Sequence, residues 1–401
     1  MLLPEIGSWL LTLWLAPFFA FMALVTIGAL LGRAPVRGSP AGERSRFLIV
    51  IPAHDEQGAI ASTVRSCRDL DYPPAQVSVW VIADNCTDAT ADEAREAGAS
   101  VVERHARDLR SKGHALEFFF SEVPEGRPES GYDAVVLVDA DTLVDPGLLG
   151  AFDAAIGQGM DWIQGYYTVR NPDATWRTQM MTYAFSLANG VWMLGLERLG
   201  LGVGLKGNGM CFTARGLRRF PWKAFGLVED MEFALMLRAR GERVRFLPEA
   251  RVFGEMVSRG GPAAASQRRR WEAGRRALRG KFAGPLARST WLAPSTKALY
   301  LLDLFFPPLV ALGSGLATAL ALDGVVLASR NGFSVGTLMP IHAAMTAVLV
   351  TYGLSPLIVM KLSPRYLVSL LALPYYAAWK IAAAAGRKPS GWVRTPRESG
   401  P

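Results

Sequence analysis

No stretch limits the fold of this chain more than Val135-Val136-Leu137-Val138-Asp139-Ala140-Asp141, which continues through Thr142 to Asp145 and Pro146. Four apolar residues in succession predict a strand buried on both faces, as in a parallel or mixed sheet. Ionised carboxylates do not stay inside such a sheet without partners. Asp139 and Asp141 therefore belong where the strand emerges, at its carboxyl end, and open α/β sheets bind ligands along that edge. Two carboxylates there make a hard, all-oxygen site suited to Mg2+ or Mn2+ already carrying a phosphate. The plainer reading is a solvated turn that caps the helix after Pro146. Taken alone, an Asp-x-Asp favours that plainer reading, because short motifs often match by chance.

The neighbouring segments change the balance. Residues 47–53 form an apolar run broken by Pro52 and ended by His54-Asp55-Glu56, and a helix is expected over 60–70. Residues 77–83 make a second apolar strand, ended by Asp84-Asn85-Cys86-Thr87-Asp88. A helix rich in Ala, Glu and Asp runs to Ala97, and a short strand is expected over 100–103. This alternation predicts a doubly wound α/β sheet. With crossovers of one hand, three strands then end in acidic or polar clusters on a single edge. Lys112 beside Gly113 at a helix start can reach a phosphate, and is equally an ordinary solvated helix N-terminus. A helix and a strand over 161–168 should follow Pro146, then a helical stretch over 176–196 whose aromatic and Met residues are core or interfacial. Gly207-Asn208-Gly209-Met210-Cys211-Phe212 reads as a tight turn entering a strand. Its glycines let the backbone approach a ligand, or serve the turn alone. Val228-Glu229-Asp230 opens a helix to Arg240, where acids also complement the helix dipole.

Half of the 401 residues are hydrophobic, and the most continuous apolar runs lie at the two ends. Residues 9–31 are apolar for long enough to cross a bilayer at ~1.5 Å per residue. No basic region precedes them and no clear cleavage site follows, so a signal peptide is the weaker reading. Arg33, Arg37, Arg44 and Arg46 come next, which places the following domain in the cytoplasm by the positive-inside rule. The net charge of +8 raises the question of nucleic acid. Because the arginines flank apolar runs, a membrane surface fits better, and no nucleic-acid partner is expected. Cys67, Cys86 and Cys211 are far apart and odd in number, and no His-x-x-x-His occurs, which argues against a disulfide framework or a zinc hydrolase. Residues 263–282 form a basic amphipathic segment that suits the membrane surface. It contains Gln267-Arg268-Arg269-Arg270-Trp271, and Arg270 and Trp271 can reach a diphosphate and a sugar ring by ion pairing and stacking.

Residues 298–322 and 339–362 are further apolar spans, and 366–385 is a third candidate weakened by Pro374 and Lys380. Three full spans would leave the basic tail outside, so one is expected to be re-entrant or interfacial. Asp303 is an intramembrane acid if its segment spans, or else a residue at the headgroup boundary. The expected division is an N-terminal transmembrane helix over 1–32, a linker over 33–46 and a catalytic domain over 47–255. An amphipathic interfacial region over 256–296, C-terminal membrane helices over 297–386 and a basic tail over 387–401 complete it.

Pro52-Ala53-His54-Asp55-Glu56, Ala83-Asp84-Asn85-Cys86-Thr87-Asp88, Lys112-Gly113, Asp139-Ala140-Asp141, the Gly207 turn, Glu229-Asp230 and Gln267 to Trp271 stand in one order. In that order they resemble the family 2 glycosyltransferases of the membrane-bound, cellulose-synthase-like type, and within these the exopolysaccharide glycosyltransferases. The resemblance covers about residues 47 to 271, and an ordered set is far more specific than any one motif. It implies a GT-A fold, an α/β, Rossmann-like mixed sheet in a cytosolic domain flanked by transmembrane helices. It also implies a nucleotide-sugar donor, a UDP-sugar first, a divalent metal and inversion at the anomeric carbon. Asp84 would then hold the uridine side, with Ala53 and Glu56 near it. Asp139 would contact the nucleotide, and Asp141 with Asp139 the metal. Lys112 and Arg270 would bind the donor. Asp230 would be the general base, with Glu229 beside it. Gln267, Arg270 and Trp271, with Gly207 and Asn208, would face the diphosphate and the acceptor. Two departures blur donor and acceptor preference. Val228 stands where processive synthases usually carry threonine, and His54-Asp55 where many members carry an aromatic residue and asparagine.

The expected function is transfer of a sugar to a growing polysaccharide at the inner, cytoplasmic membrane by a multi-pass enzyme. The expected partners are the nucleotide-sugar donor, a glycan or lipid-linked acceptor, membrane lipids and, where export is coupled, export-complex subunits. Single transfer to a lipid carrier is the alternative favoured by the few membrane spans. An inactive nucleotide-binding scaffold is the alternative of another class.

Overall fold

The computed structural model describes residues 3–32, 44–256, 262–329 and 338–372. A single long helix, α1 (Leu3–Leu31), comes first. The chain then runs through β1 (Phe47–Ala53), α2 (Ile60–Arg68), β2 (Val77–Asp84), α3 (Thr90–Glu96), β3 (Ser100–Arg104), α4 (Lys112–Glu122) and β4 (Ala134–Leu137). β1 pairs in parallel with both β2 and β4, and β2 pairs in parallel with β3. The carboxyl ends of all four strands therefore lie on one edge, as right-handed crossovers require. The apolar runs form strands because each face meets a core. Leu48 and Val50 belong to one buried cluster, Phe47, Ile49 and Ile51 to the other. That period-two division leaves no place inside the sheet for a charge.

The second half adds β5 (Thr142–Val144), α5 (Leu148–Gly157), β6 (Trp162–Val169), α6 (Trp176–Phe185), α7 (Trp192–Arg198), β7 (Met210–Thr213), α8 (Ala214–Arg219), α9 (Glu229–Ala239) and β8 (Arg245–Gly254). The eight strands form one sheet in the order β3-β2-β1-β4-β7-β6-β8-β5. β7 runs antiparallel to β4 and β6, so the sheet is mixed, as a GT-A fold requires.

The rest is helical: α10 (Pro262–Arg288), α11 (Pro294–Phe305), α12 (Leu309–Ser329) and α13 (Met339–Val359). Among the described residues α1, α12 and α13 are long and apolar enough to cross a membrane. They share a buried cluster that includes Leu15, Phe19, Met22, Leu312, Leu316, Met345 and Tyr352. The expected single span over 298–322 is divided between α11 and α12 at Pro307-Pro308. Proline removes a backbone donor and disfavours helix in the residue before it, so two in succession end the helix. Asp303 consequently lies in the short helix α11. Its carboxylate accepts from Trp192 Nε1 at 3.1 Å and Arg238 Nη1 at 2.7 Å. It is a tie between α11 and the α/β domain. After α13 the chain returns to the domain, where Arg365 pairs with Asp173 at 2.7 Å at the start of a 3-10 helix, Pro364–Ala372. Residues 33–43 of the expected linker, the third candidate span beyond residue 372 and the basic tail lie outside the described residues.

Candidate active site

Past Leu137 the ladder of β4 loosens. Val138 N–H still donates to the Val50 carbonyl at 3.1 Å, and the Leu137 carbonyl accepts from Gly209 N–H at 2.9 Å. Asp139 N–H then turns to Asn208 Oδ1 at 3.1 Å. Asn208 is fully buried and donates to Thr142 Oγ1 at 2.7 Å, while Thr142 Oγ1 donates to Asp141 at 3.3 Å. One buried amide thus spaces the two carboxylates of the β4 terminus and fastens them to the turn before β7.

Lys112 reaches the same point from the first turn of α4, whose N-cap Ser111 accepts from His114 N–H. Its ammonium donates to the Asp139 carboxylate and to the Gly207 carbonyl. Gly207 has φ +78°, which L side chains rarely adopt. A side chain there would begin 3.4 Å from Asp230 Oδ2 and 3.9 Å from Lys112 Nζ. Lys112, Asp139, Gly207 and Asp230, from four separate segments, therefore meet at the carboxyl edge.

The start of α9 is braced from both sides. Glu232 accepts from Phe225 and Gly226 N–H at 3.1 and 2.7 Å and pairs with Lys281 of α10. Gly274 of α10 lies so close to Val228 that a Cβ would meet it at 2.6 Å. These contacts hold Glu229 and Asp230 half-buried over the edge.

The electrostatics follow from the crowding. Loss of water contact, then repulsion from Asp230, pushes the Glu229 carboxyl up to about 7. Asp230 is also raised, by burial first, against the opposing pull of Met231 N–H, Lys112 and Lys206. Burial works against the charge on Lys112, but Asp139 and Glu229 outweigh it and hold its pKa above the ordinary lysine value. Lys206, one residue before Gly207, goes the other way. Burial first and the charge of Arg275 second bring it down to about 8.

Ala53, Glu56 and Asp84 occupy the other half of the edge. Asp84 stands opposite Arg104 in the β2–β3 register and accepts from its Nη1 at 2.6 Å. Asn85 Nδ2 donates to the same oxygen at 3.0 Å. Burial nevertheless raises the Asp84 pKa, with Arg104 opposing. Ala53 is buried and its carbonyl accepts from the Cys86 thiol, while Glu56 N–H donates to Thr90 Oγ1 at 2.7 Å. Trp271 is half-buried against the core; the side chains of Gln267 and Arg270 lie outside the described residues.

Two groups of acids are candidates for a cation. Ligand atoms of Asp55, Cys86 and Asp88 lie within 4.8 Å of one another. These carboxylates close the loops instead, accepting from Thr87, Gln57 and Thr90 N–H, and burial pushes the Cys86 thiol up to about 11. A protonated sulfur is a poor partner for a hard cation. Asp139 and Asp141 offer carboxylate oxygen alone at the edge, which fits Mg2+ or Mn2+ carrying a diphosphate.

Lys206 and Arg275 were not anticipated from the sequence. Lys206 sits in a Gly-rich turn without periodicity, although Arg275 falls one helical turn after Trp271, a legible spacing.

A family model described as glycosyltransferase-like family 2 matches residues 44–274. The chain is 24% identical over 256 residues to Probable glycosyltransferase YdaM of Bacillus subtilis (strain 168), covering 60% of this chain and 57% of that protein. It is 34% identical over 97 residues to Protein RfbJ of Shigella flexneri, covering 24% of this chain and 65% of that one. It thus spans less than two thirds of the length of these curated relatives. The fold is similar to that of mannosyltransferase PcManGT from Pyrobaculum calidifontis, solved in complex with GDP-Man and Mn2+. The TM-score is 0.55 at 19% identity, with 89% of this chain and 99% of that one covered.

Proposed function

The chain belongs to glycosyltransferase-like family 2, and from that premise we propose that it moves a sugar, with inversion, from a nucleotide-sugar donor to an acceptor presented at a membrane surface. One observation carries the reading: Lys112, Asp139, Gly207 and Asp230 meet at the carboxyl edge of the sheet. The donor is read as a UDP-sugar from the motifs alone. The membrane is read as the inner one, with the domain on its cytosolic face, from the arginines that follow α1.

A sugar hydroxyl is a poor nucleophile, so a carboxylate must take its proton as it attacks. Asp230 is that base. The acceptor oxygen bonds to the anomeric carbon, the proton passes to Asp230, and the bond to the diphosphate breaks with its electron pair. Glu229, pushed up to about 7, retains a proton more readily and so spares Asp230 a second negative charge. Lys112 and the nearby backbone oppose the charge that develops on the leaving group. A Mg2+ or Mn2+ held by Asp139 and Asp141 would neutralise the diphosphate further. With one base and no enzyme nucleophile, the displacement is single and the configuration inverts.

Two acceptors are consistent with this chemistry. The Gln267-to-Trp271 motif supports a growing polysaccharide. The three candidate spans, packed on one another, support single transfer to a lipid carrier. Labelled UDP-sugars and GDP-mannose, supplied with Mn2+ to the full chain in nanodiscs with membrane lipid extract, test the reading. Label entering a lipid or polymer product supports it. Nucleotide binding with neither transfer nor hydrolysis of any donor would instead indicate a scaffold.

A further inference from the structure

Among its buried residues β6 has a single polar side chain, Gln164. Trp162 and Tyr166 on either side belong to one apolar cluster and Ile163 to the other, and Gln164 is fully buried between them. A buried amide costs stability unless it is bonded, so its partners explain its place. Gln164 Nε2 donates to the Asn208 carbonyl at 2.7 Å and to the Gly165 carbonyl at 2.9 Å. Gln164 Oε1 accepts from Lys206 N–H at 2.8 Å. These partners fix which end of the amide is which, since a carbonyl only accepts and a peptide N–H only donates. One side chain thus grips both ends of Lys206-Gly207-Asn208.

The backbone around Gln164 is shaped for that reach. The register between β6 and β8 shifts between Gly165 and Tyr166. Such irregularities re-aim side chains beside active sites. A Cβ at Gly165 would meet the Ala250 carbonyl at 2.5 Å and the Gly209 carbonyl at 3.1 Å, so glycine is needed for the strand to lie against the turn. Gly165 N–H donates to the Gly209 carbonyl at 2.8 Å and closes the contact.

The gripped turn is the one that arranges the acids. The Gly207 carbonyl accepts from Lys112. Asn208 Oδ1 accepts from Asp139 N–H at 3.1 Å, and Asn208 Nδ2 donates to Thr142 Oγ1 at 2.7 Å, which in turn donates to Asp141. Gln164 bonds to neither acid. It reaches both through Asn208.

We propose that Gln164 is a positioning residue that sets the affinity of Asp139 and Asp141 for the divalent cation of the donor diphosphate. This rests on the sugar-transfer reading of the same site. Only an amide makes all the bonds at this position. Leucine would leave Lys206 N–H and the Asn208 carbonyl without them, and an ionised carboxylate would turn an acceptor toward the carbonyl.

The test is calorimetry of UDP and GDP on the full chain in nanodiscs, with and without Mn2+. Gln164→Leu should weaken the Mn2+-dependent part of nucleotide affinity by about 10–100-fold, the range for groups that orient metal ligands. The Mn2+-independent part should stay within about twofold, as for groups that share no partner with Gln164. Gln164→Glu adds a readout that packing alone would not move. A protonated carboxyl can donate to the Asn208 carbonyl as the amide does, and an ionised one cannot. Its Mn2+-dependent affinity, taken relative to wild type at each pH, should recover as pH falls, while that of Gln164→Leu stays low throughout. Unchanged Mn2+-dependent affinity in Gln164→Leu overturns the proposal. So does an equal loss with and without Mn2+, which leaves Gln164 a packing residue. Where Gln164→Leu shows no cooperative unfolding, the Gln164→Glu profile decides, and a ratio that does not change with pH overturns the proposal. Wild type that binds neither nucleotide, or binds both no better with Mn2+, overturns the metal reading of the site and this proposal with it. Variants that match a wild type showing the Mn2+ effect overturn this proposal alone.

Discussion

Two polar clusters in this molecule are built from the same kinds of group and end in opposite conditions. One lies far along α1 from the catalytic domain. There Asp323 accepts from Ser8 Oγ at 2.6 Å and contacts His342 Nδ1 at 2.7 Å, while His342 Nε2 lies 2.8 Å from Thr12 Oγ1. His342 is fully buried, and both ring nitrogens have partners within α1 and α12. The other is the carboxyl edge, where Glu229 and Asp230 share raised pKa values and burial brings Lys206 down to about 8. Both obey the rule that polar groups in apolar surroundings need partners. The first meets it internally and joins helices. The second leaves it partly unmet, which is the condition for binding something else.

Substitutions can break that contrast. The largest expected effect is at Asp141. Asp141→Ala should remove the metal-dependent part of donor-nucleotide binding altogether, measured by calorimetry with and without Mn2+. Unchanged affinity would count against the metal role. Asp323→Ala should do the reverse, costing about 1–2 kcal/mol of stability, the range for polar contacts between membrane helices. Thermal unfolding in nanodiscs reads this, and transfer rates should stay within about twofold, as for a site remote from the chemistry. A collapse in turnover without loss of stability would erase the distinction between the clusters.

The smallest effect expected concerns pH. Activity needs Asp230 ionised, so kcat/KM should rise with pH along a limb above the ordinary aspartate range. Glu229→Gln keeps a neutral group beside the base and should leave that limb in place, with no more than about a tenfold change in maximal rate. A limb that moved to lower pH would mean that Glu229 carries a charge while Asp230 titrates. The sign for folding is the reverse of the usual carboxylate case. A raised carboxyl favours the folded state when protonated, and the contribution fades as pH rises through about 7.

The two clusters also differ in how legible they were in the sequence. An apolar run followed at once by acids marks the mouth of a parallel strand, so Asp139, Asp141 and Asp84 could be placed on one edge before any coordinates. The pairing of Asp84 with Arg104 could not, because it depends on strand register, which a single strand does not encode. Asp323 and His342 were missed because an isolated polar residue in an apolar run has no periodic signal; only the packing of α1, α12 and α13 brings them together. The break at Pro307-Pro308 was visible, and proline chemistry should have outweighed the apolar run around it. Lys206 had no legible signal, since its lowered pKa comes first from burial that only the folded chain creates.

The central claim is that separate segments assemble a base beside a donor site, and Asp230→Asn in the full chain tests it most directly. Initial transfer rate and donor-nucleotide affinity should be measured on the same folded preparation. The account predicts unchanged nucleotide binding and a rate lower by roughly two orders of magnitude or more, the usual worth of a general base. Near-normal transfer by that variant would contradict it.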